Sequence, residues 1–444
     1  MREQYSISVR RNHLEISGSA LQKVHLNYEG YFQNFFSLPS EKIQELVLIA
    51  AGIYAVDRIS KKPSEMSSPG RIRQLHIIFR LKFSDFWSNK KVAELLIEIA
   101  SLLTDDDWEF TFTGLAQEEK QPRLQDYLDF SRESFDKVAL YSGGLDSAAG
   151  LVHRLISNLD QSYLLITVGH YYGLHHRVQK QLIELSKLVD LKKNEGTRVA
   201  HSTLNTHLRG GKSVRMRDQE ISQRSRAFFF CATAASAADV FKTKTVEIFE
   251  NGIGSINLPV MTGMLGCGHA TRGAHPSFLS KISTLCSIVL ERDLEFILPF
   301  SDLTKGEMLS SIKLVPGIES WLQNSLSCIH TSLRVAGISH CGECPACIER
   351  IQAFVVAGFS PKIEKFEMNP NGYLPKKLNN REYFNLYRLD ALKWQENSDD
   401  VHRRLQYHLA ITGMKVDELE RLTELHIRHS REITHVFNSP FYGG

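Results

Sequence analysis

Charge of one sign is scarce in this chain: 53 lysines and arginines stand against 50 aspartates and glutamates in 444 residues, a formal net charge of +3. So small an excess leaves no global nucleic-acid footprint, and a nucleic-acid partner is not expected. Long hydrophobic runs are missing too. The longest apolar stretch, residues 46–56, is far shorter than the ~20 residues of a membrane span, and no apolar segment follows the polar start Met1-Arg2-Glu3-Gln4-Tyr5. No membrane association is expected, and the location implied is the cytoplasm. Cysteine is sparse and uneven. Seven cysteines in a chain of this length do not read as a disulfide framework; Cys231, Cys267 and Cys286 are scattered, whereas Cys328, Cys341, Cys344 and Cys347 lie together.

What is present is a glycine string behind an apolar strand. Val138-Ala139-Leu140-Tyr141 runs into Ser142-Gly143-Gly144-Leu145-Asp146-Ser147 and then into a helical pattern. Adjacent glycines let the backbone turn sharply and approach a ligand, and the free N–H groups of the following helix favour an anion. Ser142 and Ser147 add hydroxyl donors, and Asp146 can hold Mg²⁺ or orient a substrate group. Phosphate binding is the expectation. The whole string resembles the signature of the N-type ATP pyrophosphatases, the PP-loop superfamily, whose members cleave ATP to AMP and pyrophosphate to activate a substrate as an adenylate.

With 42% hydrophobic and 23% charged residues, the composition is that of a soluble globular protein, and the length predicts two or three domains. Residues 1–130 show strand signals at 5–16, 74–83 and 108–112 and helical spacing at 41–60 and 91–103, without a glycine-rich ligand loop; an N-terminal α+β domain is expected there. Residues 117–136 suit a linker. From 136 to 375 the pattern is α/β, with strands at 137–141, 162–168 and 245–249 and helices at 148–156, 177–188 and 225–240. It predicts a parallel sheet with helices on both faces and a ligand beyond the carboxyl ends of the strands. Gly210-Gly211-Lys212-Ser213 imitates the end of a Walker loop, but Thr206 occupies the position of its first glycine. A basic covering loop over 209–217 is expected instead. Residues 376–444 read as a helical extension, in which His426, His429 and His435 are surface or core residues rather than ligands.

The spacing of Cys328, Cys341, Cys344 and Cys347 supplies four thiolates within twenty residues, which suits a closed, structural Zn²⁺ site, with an iron–sulfur cluster as the alternative. His330 and His340 lie nearby in the sequence without being assigned as ligands.

Together, the glycine string and the cysteine quartet resemble 7-cyano-7-deazaguanine synthase, the QueC family, which combines a PP-loop (adenine nucleotide alpha hydrolase-like) fold with a Cys₄ zinc site. Tyr172-Gly173-Leu174-His175-His176 is similar to its Tyr-Gly-Gln-x-His segment, Arg224-Ser225-Arg226-Ala227-Phe228 to its Arg-Asn-x-x-Phe helix start, and Glu250-Asn251-Gly252 to its polar strand end. Residues 299–307 are similar to its Pro-x-x-x-Leu-x-Lys-x-Glu segment. The resemblance covers residues 136–358, with Leu174 standing for Gln and Ser225 for Asn. Its flanking additions resemble the enlarged QueC-like proteins of anti-phage loci, the Qat system and type IV CBASS.

The resemblance implies an ATP-dependent carbon–nitrogen ligase acting on a 7-carboxy-7-deazaguanine-like carboxylate. Residues 142–147 and Arg224 would bind the nucleotide, Asp146 and Lys305 would serve the phosphates with Mg²⁺, and His175 and His176 would carry the acceptor's proton. The defence branch implies a protein N-terminus as amine acceptor, supplied by a neighbouring defence gene. Other readings are an ordinary synthase using ammonia, tRNA modification on the same fold, or a nucleotide-binding scaffold. A homodimer is compatible with each.

Overall fold

The computed structural model describes residues 3–10, 13–18, 22–26, 31, 38–60, 72–115, 134–169, 174–193, 196–210, 220, 224–260, 271–329, 340–359 and 378–437. Among the described residues, ten strands form one sheet. Residues 3–17 make a hairpin of β1 (Glu3–Arg10) and β2 (His13–Ser17) rather than a single strand, followed by β3 (Gln22–Leu26). Then come α1 (Glu41–Ile59), β4 (Gln74–Arg80), α2 (Ser84–Trp87), α3 (Lys90–Thr104) and β5 (Asp107–Thr113). The α/β run continues with β6 (Lys137–Leu140), α4 (Leu145–Ser157), β7 (Tyr163–Gly169), α5 (Leu174–Leu185) and a small ribbon of β8 (Lys192–Lys193) and β9 (Gly196–Thr197). It is followed by β10 (Val199–Gly210), α6 (Arg226–Val240), β11 (Thr245–Ile248), α7 (Gly252–Ile256), α8 (Pro276–Leu290) and β12 (Glu295–Ile297).

The strand order is β12-β11-β6-β7-β10-β3-β2-β1-β4-β5. Its first five strands run parallel. Their order along the chain reverses between β6 and β11, the switch point at which open α/β sheets bind ligands. Strand β10 joins the halves of the sheet: Val199 to Asn205 pair parallel with β7, and Thr206 to Gly210 pair antiparallel with β3. The basic loop expected over 209–217 therefore begins later than the sequence suggests, because Arg209 and Gly210 finish β10; residues 211–217 lie outside the described ones.

Helix α1 buries residues on all sides, as a helix apolar all round must. It packs on α6 and α8. One apolar core thus runs from Tyr5 to Phe296. The opposite face of the parallel strands is covered by α4, α5, α9 (Lys305–Ser310), α10 (Ile318–Gln323) and α11 (Pro345–Val356).

The C-terminal part is helical, with α12 (Leu378–Glu396), α13 (Ser398–Thr412) and α14 (Leu419–Phe437). No described helix is long and apolar enough to cross a membrane. Leu422 and Leu425 pack with Ile256, and Ile433 and Val436 pack with Ile348 and Ile351. Gly252 marks the tightest approach. A Cβ there would stand 2.1 Å from the Ser301 carbonyl oxygen and 2.6 Å from Leu425 Cδ2. Gly252→Ala is therefore expected to destabilise the fold by about 1–3 kcal/mol, read as a lower midpoint in chemical denaturation; an unchanged midpoint would refute the packing argument.

Candidate functional site

Strand β6 delivers the glycine string to the switch point. Gly143 has φ = +71°, a left-handed conformation that a side chain would strain, and its modest room is closed by Gln181 Oε1 and Val178. Gly144 is the N-cap of α4, and Leu145 anchors the first turn in the core. Ser142 Oγ accepts the Gly144 N–H at 3.2 Å and lies 3.0 Å from Ser147 Oγ. Both serine hydroxyls and the first N–H groups of α4 thus meet at one point, the arrangement that binds anions.

Asp146 lies beside this point and is bonded from two other elements. Asn251, just past β11, donates through Nδ2 to Asp146 Oδ1 at 2.9 Å and to Glu250 Oε1 at 3.0 Å. Its own Oδ1 caps α7 by accepting the Gly254 N–H, which fixes the orientation of the amide. Lys305 Nζ sits 3.2 Å from Asp146 Oδ2 and 3.1 Å from Glu349 Oε2. Burial works to lower the Lys305 ammonium, but Asp146, Glu349 and Glu250 outweigh it, and its pKa stands above the usual lysine value. Glu250 moves the other way from an ordinary carboxyl. Burial, then the Asp146 carboxylate, push it up to about 8, with Lys305 opposing. Lys305 opens α9 behind a capping box of Thr304 and Glu307, and Thr304 Oγ1 also donates to Glu432 of α14. The last helix thereby braces the element that carries the lysine.

His175 and His176 open α5. His175 Nδ1 is 2.9 Å from Thr203 Oγ1 and its ring stacks on His201 at 5.8 Å, and both His175 and His176 are exposed. His201, bonded to Thr167 and Gln179, is held down to about 3 by burial and by His175. Thr167 Oγ1 in turn donates to the Tyr141 carbonyl, just before the glycine loop. Tyr172 and Gly173 lie outside the described residues. Arg224 is buried at the start of α6, next to Ser225, whose hydroxyl donates to Asp57 at 2.6 Å.

Three residues near the loop go unnoticed in the sequence. Arg177 Nη2 lies 3.9 Å from where a Gly143 Cβ would stand, and Gln181 accepts the Tyr141 hydroxyl at 2.9 Å. Gln181 Nε2 is buried without a partner among the described residues. Its signal is a polar residue in the buried series Leu174, Val178, Gln181, Leu185. Glu349, two residues beyond Cys347, carries no local signal at all.

Cys328, Cys341, Cys344 and Cys347 are buried, with their sulfurs within 4.8 Å of one another. A tetrahedral zinc site with ~2.3 Å metal–sulfur bonds has sulfur–sulfur edges of about 3.8 Å, and Cys341 and Cys347 stand 3.8 Å apart. The Glu343 and Cys344 amides donate to Cys341 Sγ at 3.5 and 3.3 Å, the outer-shell support expected of thiolate ligands. The donor set fits zinc. His340 is no part of it, since its Nε2 accepts the Ser327 amide at 3.3 Å; His330 lies outside the described residues.

Residues 273–358 match the family described as queuosine biosynthesis protein QueC. That segment holds Lys305, Glu349 and all four clustered cysteines. The 7-cyano-7-deazaguanine synthase of Persephonella marina (strain DSM 14350 / EX-H1) is 27% identical over 241 residues, covering 51% of this chain and 95% of the relative. Nearly the whole of that synthase is therefore accommodated in about half of the present chain.

Proposed function

We propose that this chain is an ATP-dependent, QueC-type ligase that activates the carboxylate of a 7-carboxy-7-deazaguanine-like substrate and passes it to an amine. The observation that carries the reading is the convergence of the glycine loop, Asp146 and Lys305 at the switch point of the sheet. A substrate carboxylate oxygen attacks the α-phosphorus of ATP, the bond to the bridging oxygen breaks, and pyrophosphate leaves. The adenylate matters because AMP leaves readily where hydroxide does not. Ser142, Ser147 and the first N–H groups of α4, with Gly143 and Gly144 giving the close approach, take the phosphates, and Lys305 and Arg177 add positive charge. Arg224 is assigned to the nucleotide as well, from its place in the Arg-x-x-x-Phe helix start. Asp146 is the carboxylate that would hold Mg²⁺, which would neutralise departing pyrophosphate. The amine nitrogen then attacks the carboxyl carbon, AMP departs with the electron pair, and His175 and His176 are assigned the proton.

The acceptor in this reading is a protein N-terminus supplied by a defence-locus partner, because half of the chain lies beyond the synthase match. A secondary amide cannot readily be dehydrated, so the chemistry would end there. With ammonia instead, a second ATP would convert the primary amide to a nitrile. Purified protein, Mg-ATP, 7-carboxy-7-deazaguanine and ammonium, followed by mass spectrometry with Asp146→Ala as control, separates the two. Substrate-dependent AMP without nitrile supports the protein acceptor, and nitrile formed by the wild type alone overturns it. Absence of substrate-dependent AMP overturns the ligase reading as a whole.

A further inference from the structure

The cysteine quartet is not remote from the glycine loop; two short paths connect them. The first is backbone. Leu326, two residues before Cys328, donates its N–H to the Gly143 carbonyl at 3.1 Å, and its own carbonyl stands 3.6 Å from the Cβ position of Gly144. The second is ionic. Glu349, two residues after Cys347 on α11, holds Lys305 at 3.1 Å, and Lys305 holds Asp146 at 3.2 Å.

Arg350 braces these paths against each other. From α11 its guanidinium donates to Ser325 Oγ at 2.9 Å, to Ser327 Oγ at 3.2 Å and to the Leu322 carbonyl at 2.8 Å. The segment before Cys328 and the helix after Cys347 are thus one block, closed at its far end by the four sulfurs. A tetrahedral metal fixes Cys328 relative to Cys344 and Cys347, whereas four thiols alone make only weak contacts. Loss of the metal would therefore loosen the tie between the segment that supplies the Gly143 carbonyl with its partner and the helix that supplies Lys305 with one of its carboxylates.

We propose that the metal site and the glycine loop are energetically coupled, with Leu326 and Glu349 as the positioning residues that carry metal occupancy to the nucleotide site. This rests on the reading of the loop as an ATP site. Coupling is reciprocal, so if zinc tightens ATP binding by some factor, ATP must tighten zinc by the same factor. Typical couplings of this kind are about 5–150-fold.

The test uses the full zinc-loaded chain and follows zinc transfer to a chromophoric chelator with and without Mg-ATP. Zinc partition is read at equilibrium, and the readout does not depend on any turnover. Saturating Mg-ATP is expected to lower zinc loss by about tenfold. ATP affinity, measured by calorimetry on loaded and stripped chains, should fall by a comparable factor on stripping. Glu349→Gln should reduce the protection that ATP gives to zinc while the chain still takes up zinc; the quantity compared is the ratio with and without ATP, so a uniform change in ATP affinity does not count. Zinc loss indifferent to ATP, in a chain that binds ATP, overturns the coupling alone. A loaded chain that does not bind ATP overturns the coupling together with the nucleotide reading beneath it. Full protection by ATP in Glu349→Gln removes the ionic path and, with it, the role assigned to Glu349.

Discussion

Lys305→Met is expected to lower substrate-dependent AMP formation by about 10²–10³-fold, the usual cost of removing one preorganised charge from a reaction centre. The side chain is mostly buried, and its Nζ is shared between Asp146 and Glu349, with Glu250 close by. Without the ammonium, the carboxylates of Asp146 and Glu349 and the carboxyl of Glu250 face one another where further negative charge must enter with ATP. Glu250, already pushed up to about 8, would be driven to hold its proton more tightly still. Lys305→Arg is not expected to restore the rate, because a planar guanidinium cannot occupy the point that an ammonium fills at 3.1 and 3.2 Å from two separate carboxylates. Chromatographic assay of AMP from Mg-ATP and 7-carboxy-7-deazaguanine measures it. A rate within a few-fold of wild type in Lys305→Met would remove the lysine from the chemistry.

The parts of the site that are legible in the sequence are those built from neighbours in the chain. The glycine string needs only its own residues to turn from β6 into α4, and the cysteines declare themselves through close spacing. Lys305 is accessible only through a resemblance, since one lysine before a glycine looks like any other. Glu349 and Leu326 are beyond reach because their importance comes from what α9 and the glycine loop place opposite them, in residues 44 and 183 positions away. The same holds for the sheet. Residues 199–210 carry three polar or histidine positions among their first five, and the last five residues of the strand find their partners in β3, far back in the chain, so the run does not advertise itself as a strand. The helices of the C-terminal part are legible from leucine spacing, but not that α14 reaches the N-cap of α9 through Glu432. Local pattern fixes elements, and tertiary pairing fixes what they do.

Acid should loosen the seam between α13 and α8 well before it protonates ordinary carboxylates. His275 and His408 are both buried, with their Nε2 atoms 3.1 Å apart across the contact of α8 with α13. The bonding fixes their tautomers: His275 Nδ1 accepts the Ser277 N–H, so its Nε2 carries the hydrogen and donates to a bare His408 Nε2. Adding a proton to His408 at that nitrogen would set two N–H groups against each other. Burial, then the other histidine and Arg272, hold His275 down to about 3; burial and Arg272 hold His408 down to about 4. Unfolded histidines titrate near 6.5, so between about pH 6.5 and pH 4 the unfolded chain binds protons that the native chain refuses. Stability is unaffected by this pair above pH 6.5 and falls as the pH drops through that window, by about 1.4 kcal/mol per pH unit for each histidine. Urea denaturation at pH 7 and pH 5 should therefore show a midpoint that drops steeply in the wild type and less steeply in His408→Gln, whose amide can still accept the His275 hydrogen but takes up no proton. Equal pH slopes in the two proteins would mean that this pair does not govern the acid response. A shallower slope in the variant would place one pH-sensitive joint of the molecule at the contact of α8 with α13.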